Sequence, residues 1–151
     1  MDYMRWVDGN WSLLTRLMKG HATVYRATRG VIGHRFPGAP EMLLLDHVGA
    51  KSGAHRTTPL VFARDGDRVI LIASKGGYPK NPAWYYNLLA NPDTTIQVGS
   101  KLTSVHAQPA APEEYDRLWK LAVDVYSGYE GYRRRTERKI PLLVLAPRQA
   151  A

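Results

Sequence analysis

Apolar residues recur at helical spacing at the start of the chain. Met4, Val7, Trp11, Leu14 and Met18 form a stripe that Leu13 and Leu17 widen. The pattern predicts helix over residues 3–30, with Gly20 as a stop and a second short helix from about Thr23 to Arg29. Gly30 to Pro40 holds three glycines and two prolines and reads as a linker. The expected division is a helical segment over 1–30, a linker over 31–40 and a domain over 41–151.

From Glu41 the period changes. Met42 to Val48 is a nearly continuous apolar run stopped by Gly49. Thr57 to Ala63 and Arg68 to Ala73 read as two strands joined at Asp65-Gly66, a strong hairpin signal. Asn81 is placed to cap a helix with Pro82 in its first turn, running to about Ala90. Thr94 to Val98 and Leu102 to Gln108 pair through Gly99-Ser100. Pro112 opens a helix through Val125, a short helix lies between Gly128 and Glu137, and Ile140 to Ala146 is a closing strand. Strands joined mainly by hairpins argue against a doubly wound parallel sheet. They fit an α+β fold, a small antiparallel barrel with helices packed outside it.

At 151 residues the chain makes one domain with a real core. Cysteine is absent, which excludes disulfides, thiolate metal sites and a cysteine nucleophile. The run Met42 to Leu45 is far too short to span a bilayer. The net charge of +8 sits at the two ends. Residues 1–40 carry Arg5, Arg16, Lys19, Arg26, Arg29 and Arg35 against Asp2 and Asp8. Residues 131–151 carry Arg133, Arg134, Arg135, Arg138, Lys139 and Arg148 against Glu137. Such ends suit an anionic lipid surface, a nucleic acid or an acidic ligand, and a merely solvated basic surface accounts for them as well. Trp6 and Trp11 beside Arg5, Arg16 and Lys19 are what an interfacial helix uses, although packing on the core is the commoner fate of such a stripe.

The candidate chemistry lies in three segments: Gly49-Ala50-Lys51-Ser52-Gly53-Ala54-His55-Arg56, Ser74-Lys75-Gly76-Gly77, and Asn81-Pro82-Ala83-Trp84-Tyr85. Glycine turns bring backbone close to a ligand. Their free N–H groups, with Lys51, Arg56, Lys75 and Lys80 beside them, favour an anion. The helix opening at Pro82 offers further amides to the same anion. Tyr126, Tyr129 and Tyr132 recur at a spacing of three, which puts three phenols on one face of a helix or tight turn. Together these describe a site for a large, flat, negatively tailed cofactor. No P-loop and no Gly-x-Gly-x2-Gly occurs, and no Gly-x-Ser-x-Gly elbow supports a serine hydrolase. The five histidines are scattered, no metal site is expected, and His47 and His106 read as structural residues of strands. Nucleic acid is not expected as a partner, because the aromatics cluster in helical segments and not on a basic sheet face.

These three segments, with the hairpin Pro59 to Ser74 and the ending Tyr126-Ser127-Gly128-Tyr129-Glu130-Gly131-Tyr132, resemble the deazaflavin-dependent nitroreductase family. These are mycobacterial-type enzymes that use coenzyme F420, an 8-hydroxy-5-deazaflavin with an oligoglutamate tail. Their fold is a split β-barrel related to the FMN-binding pyridoxamine-phosphate oxidases. The resemblance covers about residues 41–146.

By matching motif positions it implies that Lys51, Arg56 and Lys75 hold the anionic tail and phosphate. Thr57, Thr58 and Pro59 would run along the cofactor, as would Ile72, Ala73 and Ser74. Ala83 and Trp84 would meet its phosphate end and Tyr129 its ring. Ser74 and Tyr132 match hydrogen-bond donors near the substrate, with Tyr126 lining the same pocket. The chain departs from the family in having Ala50 for a common arginine, Val61 for a common aromatic and Thr58 for a common asparagine.

The implied activity is hydride transfer from reduced F420 to an electron-poor acceptor, a quinone, with adventitious reduction of nitroaromatic and nitroimidazole compounds. A membrane quinone would explain a basic amphipathic N-terminus, in a cytoplasmic protein touching the inner face of the membrane. The alternatives are an FMN-dependent reductase on the same barrel and a non-catalytic deazaflavin- or membrane-binding module.

Overall fold

The structure is a computed structural model that describes residues 11–30, 33, 40–77 and 79–148. Met4 and Val7 of the expected stripe, Arg5 and Trp6 of the expected interfacial set, and most of the expected linker lie outside the described residues. Six strands form a closed barrel: β1 (Met42–Val48), β2 (His55–Asp65), β3 (Arg68–Ile72), β4 (Asp93–Val98), β5 (Lys101–Pro109) and β6 (Leu142–Pro147). Their order around the barrel is β1-β2-β3-β6-β5-β4, and each neighbouring pair is antiparallel. Asp65 faces Arg68 across the first predicted hairpin and Val98 faces Lys101 across the second. Gly66 and Gly99 supply the positive φ that each turn requires.

Alternation sorts the strand residues between two cores. Leu43, Leu45, Phe62, Leu71, Ile96 and Val105 fill the barrel interior. On the outer face Ile70, Ile72 and Leu142 pack beneath α3 (Tyr115–Val125) and α4 (Gly128–Arg135), where Leu118, Ala122 and Tyr129 cover them. Leu44, which alternates out of the barrel, is covered instead by Ala22 and Tyr25 of α1 (Trp11–Ala27).

Tyr25 ties that helix down. Its hydroxyl accepts the Gly99 amide at 2.8 Å, and its own proton lies between the carbonyls of Met42 (3.0 Å) and Gln97 (3.2 Å). This anchor explains why Gly20 does not stop the helix. One helix runs from Trp11 to Ala27 because packing at its C-terminal end outweighs the cost of one interior glycine, about 1 kcal/mol. Leu13 and Leu17, expected to widen a buried stripe, are 47% and 60% exposed.

Two further expectations differ in detail. The α2 helix (Ala83–Ala90) has Pro82 at its cap, and Asn81 makes no capping bond; its amide reaches the Tyr86 hydroxyl and its carbonyl oxygen accepts from Arg138. Pro112 opens a turn, and regular helix begins only at Tyr115.

The barrel is split on one side. β2 pairs with β1 from His55 to Val61, but with β3 only over Phe62 to Asp65, because β3 ends at Ile72. Among the described residues, the β3-facing edge of residues 55–61 therefore carries no strand.

Candidate active site

An open cleft of about 840 Å³ runs along that unpaired edge. Thr57, Thr58, Pro59 and Val61 of β2 form one side, and Ile72 and Ser74 at the end of β3 continue it. Trp84 of α2 closes one end. Tyr126, Tyr129 and Tyr132 line it as well, as do Met18 and Lys19 of α1. The volume lies within the range of small-molecule sites.

The tyrosines form one packed cluster. Tyr126 and Tyr129 meet edge to face at 5.0 Å between ring centroids, and Tyr129 and Tyr132 at 6.1 Å. The hydroxyls of Tyr126 and Tyr132 lie 3.1 Å apart. Tyr129 is buried, and that burial, reinforced by its two neighbouring phenols, pushes its hydroxyl pKa up, so it stays a neutral phenol. Ser74 is 7% exposed, and its hydroxyl makes no bond to the described residues. Its carbonyl accepts the Gly77 amide at 2.9 Å and the Arg138 guanidinium at 2.7 Å.

Cations stand at the rim. Arg56 and Lys75 line the cleft, and Lys75 occupies a turn of three left-handed residues, with φ of 44° at Lys75, 62° at Gly76 and 78° at Gly77. The first glycine turn spends four of its amides inside the protein. The Gly49 amide is bound to Ala54 O, the Gly53 amide to Gly49 O, the Ala54 amide to Ser52 Oγ and the Ala50 amide to Asn87 Oδ1. Those four donors are satisfied inside the protein, whereas the Lys51 and Ser52 amides at the turn tip have no acceptor among the described residues.

Of the site residues singled out from sequence, the cleft brings together Arg56, Thr57, Thr58, Pro59, Ile72, Ser74, Lys75, Ala83, Trp84, Tyr126, Tyr129 and Tyr132. Lys51 is exposed at the turn tip outside the cleft wall, and Ala73 is fully buried behind it. Sequence reasoning missed His47, Asn87 and Arg138. His47 is 5% exposed and lines the cleft. Alternation after Leu43 and Leu45 places it at the polar end of the inward-facing row, a signal present in the sequence.

A sequence profile described as F420H(2)-dependent quinone reductase matches residues 17–147. An F420H(2)-dependent quinone reductase of Mycobacterium tuberculosis (strain H37Rv) is 46% identical over 151 residues, covering 98% of this chain and all of that protein. A solved F420-H2 dependent reductase (FDR-A) superposes with a TM-score of 0.64 at 39% identity, over 69% of this chain and 92% of that one. A candidate pyridoxamine 5′-phosphate oxidase from Listeria innocua shares the fold alone, with a TM-score of 0.51 at 14% identity over 72% of this chain and 84% of that one.

Proposed function

This chain belongs to the F420H(2)-dependent quinone reductase family, and we propose that the cleft beside the unpaired edge of β2 is where it holds F420 and meets its acceptor. The chain is an oxidoreductase that uses coenzyme F420. The observation that carries the site is a tyrosine-walled cleft with Arg56 and Lys75 at its rim.

The residues fit the cofactor. Pro59, Val61, Ile72 and Trp84 give the apolar surface a flat ring needs, and the two cations suit a phosphate and an acidic tail. Bound F420, when reduced, supplies a hydride from its ring. The chain's own work is to hold the ring, exclude water and deliver a proton. A quinone that has accepted a hydride is an anion and needs one proton to become the hydroquinone. Tyr132, hydrogen-bonded to Tyr126, and Ser74, whose hydroxyl has no acceptor among the described residues, are the donors this reading assigns to it. The neutral Tyr129 lines the same cleft against both Tyr126 and Tyr132. Reduction of activated nitro compounds is an adventitious use of the same site.

Peripheral membrane contact belongs to this reading too. It rests on the outward row Leu13, Leu17 and Val24 of α1, each at least 43% exposed, beside the exposed Arg16. Among the described residues no helix is long and apolar enough to cross a membrane. Co-sedimentation with anionic vesicles tests the contact; equal pelleting of wild type and Leu17→Glu would sink it.

The central test titrates the protein with oxidised F420 and with FMN, and follows reduced F420 when menadione is added. Tight F420 binding with menadione-dependent oxidation is expected. FMN binding without F420 binding would return the site to a flavin reductase. Binding without turnover would make the chain a carrier.

A further inference from the structure

The barrel interior ends in a polar layer beneath the cleft, and its hydrogen bonds run in one direction. The Ala50 amide donates to Asn87 Oδ1 at 2.9 Å. A backbone N–H is an unambiguous donor, so it fixes which end of the Asn87 amide is oxygen. Asn87 Nδ2 lies 2.9 Å from His47 Nδ1 and, being NH2, must donate to it. The proton of a neutral imidazole is then on Nε2, which lies 2.8 Å from Thr58 Oγ1. Burial in the barrel end, with the Arg56 charge nearby, keeps His47 neutral by pushing its pKa down to about 4. Thr58 therefore accepts from His47, and its own O–H has no acceptor among the described residues. Thr58 lines the cleft.

We propose that His47 is a positioning residue that, held by Asn87, occupies one lone pair of the Thr58 hydroxyl and so turns its O–H toward the ligand in the cleft. A threonine hydroxyl is ordinarily free to donate or to accept. Here the histidine fills one of its two lone pairs and leaves the O–H as the group without a partner, which favours an acceptor, a carbonyl or deprotonated ring oxygen, as the ligand atom seated against Thr58. The relay also joins the glycine turn after β1 to the cleft wall, because its first donor is Ala50 of that turn. The inference rests on F420 occupying this cleft.

Fluorescence titration of oxidised F420, with the absorption band of the bound ring as a second readout, tests it on the full-length protein. The proteins compared are wild type, Thr58→Val, Thr58→Ser, His47→Met, His47→Gln and the Thr58→Val/His47→Met double variant. Losing one such donor should weaken binding roughly fivefold and shift the band in Thr58→Val, while Thr58→Ser stays near wild type. His47→Met should weaken binding too, and His47→Gln, whose amide N–H takes the place of Nε2–H, should recover it. The double variant should bind no worse than Thr58→Val alone, since the histidine acts only through the hydroxyl. Additive losses in the double variant, or wild-type affinity in Thr58→Val, would overturn the relay while leaving the F420 site standing. Should His47→Met fail to fold, wild-type affinity in Thr58→Val still overturns the relay, and an unshifted band with wild-type affinity in His47→Gln alone upholds the part of the Nε2–H donor. Wild-type protein that ignores F420 would remove the cofactor site and this inference together.

Discussion

Arg138 grips the Ser74 carbonyl from 64 residues away, Nη2 to O at 2.7 Å. Its other terminal nitrogen holds Asn81 Oδ1 at 2.7 Å, so one guanidinium fork joins the end of β3 to the loop that opens α2. Both segments face the cleft, and the fork fixes their spacing from behind.

A lysine at this position keeps the charge but cannot reach both acceptors with a planar fork. Arg138→Lys should lower stability by about 1–2 kcal/mol and weaken F420 binding, because Ser74 and Asn81 lose their common anchor. Urea unfolding and F420 titration measure the two effects. An unchanged unfolding midpoint would mean that the fork contributes nothing.

Arg56 and Lys51 should separate by ligand length. Arg56 lines the cleft, whereas Lys51 is exposed at the turn tip beyond its wall. Arg56→Ala should weaken F420 and its tail-less analogue alike, by roughly tenfold. Lys51→Ala should weaken only the tailed form, and that loss should shrink as salt is added because the contact is exposed. Equal losses for both ligands in Lys51→Ala would rule out a tail contact there.

The barrel was legible because its signals are local. Asp65-Gly66 and Gly99-Ser100 specify hairpins by turn chemistry, and the run Met42 to Val48 admits only a buried strand. Most motif-assigned residues face one cleft because β2 and the segment after β3 flank the same split. What was not legible depends on distant partners. Gly20 reads as a helix stop until Tyr25 is seen anchored by Gly99, which lies 74 residues away. That Asn87, on another helix, takes the Ala50 amide of the glycine turn after β1 is likewise invisible in the sequence. His47 reads as a strand histidine because its importance comes from Asn87 and Thr58 together, a relation no local pattern encodes.

Lys75 is a non-glycine residue at φ 44°, in the left-handed region. That conformation costs an L-residue roughly 1–2 kcal/mol relative to glycine, so the turn stores strain at the cleft rim. Lys75→Gly should be more stable than Lys75→Ala by about 1 kcal/mol, though part of that gain is offset by the freer unfolded chain. Both variants should bind F420 less well, by similar factors, because each removes the same charge. Thermal melts and titrations of the pair check this. If alanine proved the more stable variant, the left-handed turn would not be a feature of the protein in solution.

His47 also makes stability depend on pH. Burial first, then the positive charge of Arg56, lower its pKa from 6.5 to about 4 in the folded chain, with Asp46 opposing them. Between those two values the unfolded chain binds the proton and the folded chain does not, so stability rises with pH across the window. The contribution is complete above about pH 6.5 and is lost as pH falls toward the folded value. It amounts to no more than ~3 kcal/mol. Urea unfolding from pH 4 to pH 7 should show this slope in wild type and a flatter one in His47→Gln, which has no group to titrate at that position. Subtracting the two profiles cancels the other histidines and the carboxylates common to both proteins. Parallel profiles would mean that the imidazole takes up its proton as readily in the folded chain as in the unfolded one, so that below about pH 6.5 the ring carries N–H at both nitrogens. The Asn87 amide could then no longer donate to Nδ1, and the direction of the whole chain from Ala50 to Thr58 would have to be reassigned.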